Sequence, residues 1–284
     1  MSCAPAPSVV TAPSVGLADW RLPCRGVAAV ELAARLGADG LQLDLGGPGR
    51  GLWLDAPGTL AAVRRVAERE GLALLAVAGN HLNDIGLHAP PKTVAAWRVA
   101  SILRRLLDAA TALDAPLAFV PTFGRSAIDS PMALRRTTDV LRSAAAVADA
   151  LGLSLACESA LDADASRALV DGAGPAGLRL LLDTQNPCDA GLDPVALANA
   201  LARHLVDQVH LKHDGVAGHR TPLREGAAAI EAVLTAARAG GSEIRHLVLE
   251  QDYRDGDVQR LAGDVRWARA HFTSTLAESI EARP

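Results

Sequence analysis

The stretch Leu153-Ser-Leu-Ala-Cys-Glu158 is the first of four similar segments that decide the fold of this chain. The other three are Leu178-Arg-Leu-Leu-Leu-Asp183, Leu205-Val-Asp-Gln-Val-His210 and His246-Leu-Val-Leu-Glu250. Each segment is a short apolar run with the length of a buried parallel strand, and each ends on a residue that can ligate a divalent metal. Because the active sites of parallel barrels lie at the carboxyl ends of their strands, we expect the four end residues to converge.

Strand-like and helix-like segments alternate along the rest of the chain. Strands are predicted over 14–17, 41–45, 72–77 and 117–120. Helices are predicted over 27–36, 60–70, 93–113, 133–151, 165–170 and 258–277, together with one that begins at 193 and one that ends at 239. Glycines at 37, 71 and 152 end three of these helices, as is typical of helix C-termini. Eight strand–helix pairs predict one closed (β/α)8 TIM barrel over residues 1–284, with residues 1–12 as a loose lead-in.

An open, doubly wound α/β sheet is the alternative fold. Such a sheet binds its ligand at a glycine-rich turn after the first strand. The glycine-rich loop of this chain, 46–51, follows the second predicted strand and lacks both the Gly-x-Gly-x-x-Gly and the P-loop patterns. We therefore interpret it as a loop at the barrel mouth, with a phosphate-binding loop as the weaker alternative, and expect no nicotinamide or flavin cofactor.

Composition excludes several classes of function. Of the 284 residues 50% are hydrophobic and 3% aromatic, and the net charge is −4, so neither a basic surface nor stacking platforms for nucleic acid are expected. No apolar run reaches the roughly 18 residues of a membrane span, and no signal peptide is recognisable. The four cysteines form no Cys-x-x-Cys pair, which favours reduced thiols and a cytoplasmic protein. A homo-oligomer is compatible with this composition.

The four strand ends carry the candidate metal ligands Glu158, Asp183, His210 and Glu250. Three carboxylates and one imidazole suit Mn²⁺, Mg²⁺ or Co²⁺ better than a structural zinc ion. Each residue also has an ordinary structural interpretation, as a solvated strand end, a turn-forming aspartate or a hydrogen-bonded histidine. The alignment of all four at successive strand ends favours the metal site.

Several local motifs of the chain resemble the xylose-isomerase-like TIM barrel superfamily of sugar phosphate isomerases and epimerases. They are Val15-Gly-Leu17, Gly37-Ala-Asp-Gly-Leu-Gln-Leu43, Cys157-Glu158, Leu182-Asp-Thr184, Val209-His-Leu-Lys212, Pro222-Leu-Arg-Glu-Gly226 and Leu249-Glu250. The resemblance covers nearly the whole chain and implies that the four strand-end residues hold one divalent ion. By similarity to the ketose 3-epimerases, Glu158 and Glu250 would also be the acid/base pair on opposite faces of the substrate, and Arg220 would contact it.

The chain departs from the family pattern at two positions. Many members carry a histidine three residues after the strand-six aspartate, where this chain has Asn186, and an amide there can still bind substrate. The second strand often carries a glutamate where Gln42 stands. The loss of that charge indicates a different substrate preference.

Three further residues are candidate substrate contacts. Lys212 lies two residues beyond His210 on the same side of the strand, where it can contact a substrate oxygen or pair with Glu158 or Asp183. His81 and Trp20 follow the third and first strands and can line the barrel mouth. Ordinary loop exposure for His81 and ordinary packing for Trp20 are the alternatives.

These observations predict a divalent-metal-dependent isomerase or epimerase of a small sugar or keto-polyol. It would remove a proton next to a carbonyl and pass through an enediolate. A dehydratase of a keto-polyol such as an inosose begins with the same step, so the sequence leaves it open. A DNA-repair endonuclease is disfavoured because Asn186, Gly218 and Arg220 stand where extra metal ligands are needed. A non-catalytic barrel is disfavoured by the intact set of four ligands.

Overall fold

The computed structural model of the chain describes residues 12–174 and 176–281, with side chains up to residue 272. Eight parallel strands close into a barrel in sequence order: β1 Ser14–Ala18, β2 Gly40–Asp44, β3 Ala73–Ala78, β4 Leu117–Pro121, β5 Ser154–Glu158, β6 Arg179–Asp183, β7 Leu205–Leu211 and β8 His246–Leu249. Ser14 pairs with His246 where β1 meets β8. This closure confirms the predicted (β/α)8 barrel, and the open-sheet alternative is wrong. Residues 1–11 of the expected lead-in lie outside the described residues.

Helices connect the strands and cover the barrel. They are α1 Val27–Arg35, α2 Thr59–Glu70, α3 Leu82–Ile85, α4 Val94–Ala112, α5 Pro131–Ala150, α6 Ala163–Gly172, α7 Asn186–Asp189, α8 Pro194–Leu201, α9 Ala227–Ala239 and α10 Val258–Glu281. The long helices follow the predicted pattern, and Asp193 caps α8 by accepting a hydrogen bond from the Val195 amide at 2.9 Å. The sequence missed α3 and α7, because a single turn is too short to show a helical period.

An apolar layer fills the barrel interior below the polar strand ends. It consists of Ala18, Trp20, Leu75, Ala76, Ala78, Leu117, Phe119, Ala156, Leu181, Val206 and Val248. Gly16 and Gly40 face Leu75, and a Cβ at either glycine would lie 2.6 Å from a carbon of that side chain. The two glycines therefore leave the space that Leu75 fills. This layer separates the strand ends from the opposite mouth of the barrel.

Two expectations from composition can be compared with the structure. None of the described helices is long and apolar enough to cross a membrane. Among the described residues, Cys24, Cys157 and Cys188 form no disulfide bond. Cys157 is fully buried, and burial raises the pKa of its thiol to about 12, so it packs as a small apolar residue.

Candidate metal and active site

The strand ends of β5 to β8 bring Glu158, Asp183, His210 and Glu250 together. One potential ligand atom from each residue lies within 4.8 Å of those of the other three, and every residue is at most 4% exposed. A single cation bound at roughly 2.0–2.6 Å could reach atoms so placed. Nδ1 of His210 is buried and has no hydrogen-bond partner among the described residues, while Oδ2 of Asp183 and Oε2 of Glu250 face a single ammonium group, that of Lys212. The donor set, with the free Nδ1 of His210 aimed at the carboxylates, therefore fits a divalent ion.

The two oxygens of the Asp183 carboxylate have different roles, one in the local turn and the other in the candidate metal site. Its Oδ1 accepts hydrogen bonds from the amides of Gln185 and Asn186, both at 2.7 Å. The turn-forming interpretation of this residue is therefore right for Oδ1. The same two bonds fix the carboxylate so that Oδ2 is left for the centre.

His210 is oriented by a chain of buried amides. Its Nε2 lies 2.8 Å from Oε1 of Gln42, whose amide nitrogen donates to Gln208 at 2.8 Å. Gln208 in turn donates to the carbonyl of Leu75 at 2.8 Å. Because Oε1 of Gln42 can only accept, Nε2 must carry a hydrogen, and Nδ1 faces the centre. Gln42 thus lies beside His210 and orients it, and the different substrate preference expected from the missing charge stays a prediction.

The carboxylates around His210 attract positive charge. Nδ1 lies 3.5 Å from Oε1 of Glu158 and 3.5 Å from Oε2 of Glu250. Burial opposes the charged imidazolium, yet the two glutamates raise the pKa of His210 to about 10. A metal ion in the centre would take the place of that proton.

Lys212 supplies a second buried positive charge. Its Nζ lies 3.0 Å from Oδ2 of Asp183 and 2.6 Å from Oε2 of Glu250, and it donates to Oδ1 of Asn186 at 3.0 Å. The sequence left open whether Lys212 pairs with Glu158 or with Asp183. The ion pair with Asp183 forms, and the second ion pair is with Glu250 instead of Glu158. Burial lowers the pKa of the ammonium, but the surrounding carboxylates outweigh it and raise that pKa overall.

The two glutamates are held differently. Oε1 of Glu250 accepts hydrogen bonds from Nε1 of Trp20 at 2.8 Å and from Nε of Arg21 at 3.1 Å, whereas Oε1 of Glu158 accepts one from Nδ2 of Asn186 at 2.7 Å. Burial raises the pKa of Glu158. Burial acts on Glu250 in the same direction, but Lys212 and Arg21 lower its pKa well below the ordinary value. The site therefore shifts the pKa values of two nearby carboxyl groups in opposite directions, upward for Glu158 and downward for Glu250.

Aromatic rings close the apolar side of the centre. Phe119 makes an edge contact with His210 at 5.5 Å between ring centroids, and Trp20 lies 5.9 Å from Phe119. The ring of Trp20 thus packs on the interior while its indole nitrogen binds Glu250. The packing interpretation of Trp20 is therefore right, and its contact with a substrate stays a prediction.

Two predicted contacts lie away from the centre. His81 lies 3.2 Å from Oδ2 of Asp84 and makes an edge contact with Trp53 at 5.5 Å. Arg220 has a 57% exposed side chain and lies 3.8 Å from Oδ2 of Asp252. Both belong to loops at the mouth of the barrel and neither bonds to the four converging residues.

A second acidic group at the strand ends was missed from the sequence. Asp19, at the end of β1, accepts hydrogen bonds from the Asp44 amide at 2.9 Å and from Arg25 at 3.2 Å. Burial, assisted by the charge of Asp44 and opposed by that of Arg25, raises the pKa of Asp19 to about 7. Arg21 was missed as well. The signal in both cases was a charged residue within a few positions of the end of the first predicted strand.

The geometry agrees with the family to which the chain belongs. Residues 30–271 match the model of the xylose isomerase-like TIM barrel family, so the chain is a member of it, as the resemblance implied. A 2-epi-5-epi-valiolone 7-phosphate 2-epimerase from Actinoplanes sp. is 48% identical over 257 residues, which are 90% of this chain and 93% of that protein. The chain is an isomerase or epimerase, as predicted.

Solved structures share the same fold at low sequence identity. An L-ribulose 3-epimerase superposes with a TM-score of 0.74 and 20% identity, covering 96% of this chain and all of the other. A D-allulose 3-epimerase from Methylomonas sp., in complex with D-allulose, gives a TM-score of 0.71 and 15% identity over 92% of this chain and 97% of the other. These likenesses establish the common barrel.

Proposed function

We propose that this enzyme inverts the carbon next to the carbonyl of a phosphorylated cyclic keto-polyol of the 2-epi-5-epi-valiolone 7-phosphate type. One Mn²⁺, Mg²⁺ or Co²⁺ ion would be held by Glu158, Asp183, His210 and Glu250. The observation that carries the proposal is the convergence of four buried ligand atoms within 4.8 Å, in a chain 48% identical to an epimerase of that substrate. A dehydratase would use the same residues, but this relative is an epimerase.

The acid/base work is assigned to the two glutamates. When bound, the divalent ion supplies a Lewis acid that polarises the carbonyl and stabilises negative charge on oxygen. Glu158 on β5 and Glu250 at the end of β8 approach the centre from different sides of the barrel. One carboxylate removes the proton from the carbon beside the carbonyl, and the other returns a proton to the opposite face. Inversion follows because removal and return take place on opposite faces of one carbon.

Neighbouring side chains hold these carboxylates in position. Asn186 donates to one oxygen of Glu158, and Trp20 donates to one oxygen of Glu250, whose other oxygen is paired with Lys212. Lys212 balances the charge of the acidic centre and is close enough to bind a substrate oxygen. Trp20 and the other side chains of the apolar layer exclude water from that side of the site.

The remaining candidate contacts act at the rim of the site. His81 and Arg220 lie in the loops after β3 and β7, and they would touch parts of the substrate far from the reacting carbon. We also propose that residues 1–284 act as one domain in the cytoplasm, on a free small molecule of carbohydrate metabolism and without nucleic acid. A homo-oligomer is compatible with this function.

A substrate panel tests the proposal directly. The purified enzyme would be stripped with a chelator, reloaded with Mn²⁺, Mg²⁺ or Co²⁺, and incubated with 2-epi-5-epi-valiolone 7-phosphate, free ketoses and an inosose. We expect a new epimer from the phosphorylated cyclic ketone, in the metal-loaded protein only. A dehydrated product from the inosose, without epimerisation of any ketone, would favour the dehydratase instead.

A further inference from the structure

Arg21 is fixed at one end of its guanidinium and open at the other. Its Nε donates to Oε1 of Glu250 at 3.1 Å, which ties the side chain to the candidate active site. Its Nη1 and Nη2 donate to no other group among the described residues. The side chain is 22% exposed, so part of it is open to solvent. The group is therefore held in place with its two terminal donors unused.

The rim beside Arg21 carries further positive charge. Arg254 donates to Oδ1 of Asp252 at 2.7 Å, and Nε of Arg220 lies 3.8 Å from Oδ2 of the same carboxylate. The hydrogen bond from Arg254 is the largest cause that lowers the pKa of Asp252 to about 2, and the charge of Arg21 contributes to it. Three arginines thus gather near Asp252, in a chain whose net charge is −4. Asp255, which also lies 3.8 Å from Arg220, is held by Arg260 at 2.9 Å.

The groups of the glycine-rich loop that could bind an anion are already bonded. In the glycine-rich loop, the amide of Gly47 donates to the carbonyl of Gly51 at 3.3 Å, and the amide of Arg50 donates to Gly47 at 2.8 Å. The guanidinium of Arg50 makes two hydrogen bonds to Asp84, at 2.6 and 2.9 Å. This loop therefore has fewer unused hydrogen-bond donors for an incoming phosphate than Arg21 has.

We propose that Arg21 binds the phosphate group of the substrate and so selects phosphorylated over free keto-polyols. The inference rests on the proposed function, since it needs a substrate seated beside Glu250. Two parallel N–H groups of an arginine match two phosphate oxygens in spacing and charge. The 48% identical relative is named for a 7-phosphate substrate, whereas the L-ribulose and D-allulose epimerases are named for sugars without phosphate.

Paired substrates separate phosphate binding from any effect on Glu250. The kcat/KM of metal-loaded wild type, Arg21→Gln and the matched control Arg50→Gln would be measured with 2-epi-5-epi-valiolone 7-phosphate and with unphosphorylated 2-epi-5-epi-valiolone. We expect Arg21→Gln to lower the preference for the phosphorylated compound by about 10- to 100-fold, the range of charge-assisted hydrogen bonds. Arg50→Gln should keep the wild-type preference. An equal loss on both substrates in Arg21→Gln, or an equal change in the two variants, would overturn the assignment.

A binding experiment does not depend on turnover. Inorganic phosphate would be titrated into the Mg²⁺-loaded protein and its dissociation constant measured by calorimetry. We expect weak binding in wild type and Arg50→Gln that falls at least tenfold in Arg21→Gln. Equal phosphate affinity in all three proteins would contradict the role of Arg21. Failure of the wild type to turn over any ketone, with this binding pattern intact, would count against the proposed reaction and not against the anion site.

Discussion

Gln42 and His210 meet across the barrel interior, with Oε1 of Gln42 2.8 Å from Nε2 of the imidazole. The glutamine cannot turn its nitrogen toward His210 without losing its bond to Gln208. The contact therefore places the hydrogen on Nε2, and it leaves Nδ1 to face the carboxylates of the centre. A residue on β2 thus determines which nitrogen of a β7 histidine is available as a ligand.

Replacing Gln42 should weaken metal binding more than it weakens the fold. In Gln42→Leu the imidazole loses the acceptor that orients it, and we expect the dissociation constant for Mn²⁺ to rise by about 10- to 100-fold. Calorimetric titration of the chelator-stripped protein measures this. Gln42→Glu retains an acceptor at the same place and serves as the control, with affinity close to wild type. Unchanged affinity in Gln42→Leu would show that this contact does not position the ligand.

Neutralising either glutamate should abolish turnover while the barrel stays folded. Glu158→Gln and Glu250→Gln each remove a proton carrier and a metal ligand, so we expect a fall in kcat of at least about 10²–10⁴-fold. Steady-state rates with circular dichroism as the fold check provide the measurement. Glu243→Gln, at a 79% exposed side chain, is the matched control and should keep wild-type activity. Near-native turnover in either site variant would refute the two-carboxylate mechanism.

Lys212 should stabilise the metal-free protein. Lys212→Met leaves Asp183 and Glu250 buried without their counter-ion, and we expect a loss of about 3–5 kcal/mol in the free energy of unfolding. Saturating Mn²⁺ should restore more stability to this variant than to wild type, because the ion then supplies the missing positive charge. Urea unfolding with and without metal measures both effects. The exposed Lys92 provides the control, Lys92→Met, and a similar small loss in both variants would contradict the prediction.

Asp19 should make stability fall as the pH rises toward neutrality. Its pKa is about 7 in the folded chain against an ordinary value of 3.8, so the folded state holds this proton more tightly than the unfolded state does. The stabilising contribution of the protonated group is therefore present below about pH 4 and is lost as the pH rises through 7. We expect the stability of wild type relative to Asp19→Asn to decrease between pH 5 and pH 8 in urea unfolding. A difference that stays constant, or grows, over this range would exclude the linkage.

Much of the barrel could be predicted because its signals are local. Runs such as Leu178–Asp183 carry both the apolar pattern of a buried strand and the polar residue that ends it, so strand position and candidate ligand came together. Asn186 and Lys212 follow Asp183 and His210 closely in the sequence, which predicted that they lie near the centre. There they bond to each other. No long-range information was needed for these residues.

The unpredicted parts of the site depend on contacts between distant segments. Arg21 meets Glu250 only because β1 closes the barrel against β8, and the two residues are 229 positions apart. Gln42 meets His210 across the interior at a separation of 168 positions. Alternation along a strand gives the side on which a residue lies, but it does not give the partner on another strand.

Deuterium incorporation during the reaction tests the central claim most directly. The metal-loaded enzyme would be incubated with 2-epi-5-epi-valiolone 7-phosphate in D₂O, and the product followed by NMR. The account predicts conversion to the epimer at the carbon beside the carbonyl, with deuterium at that carbon and no conversion after chelation. A dehydrated product, or no conversion by the metal-loaded enzyme, would contradict it.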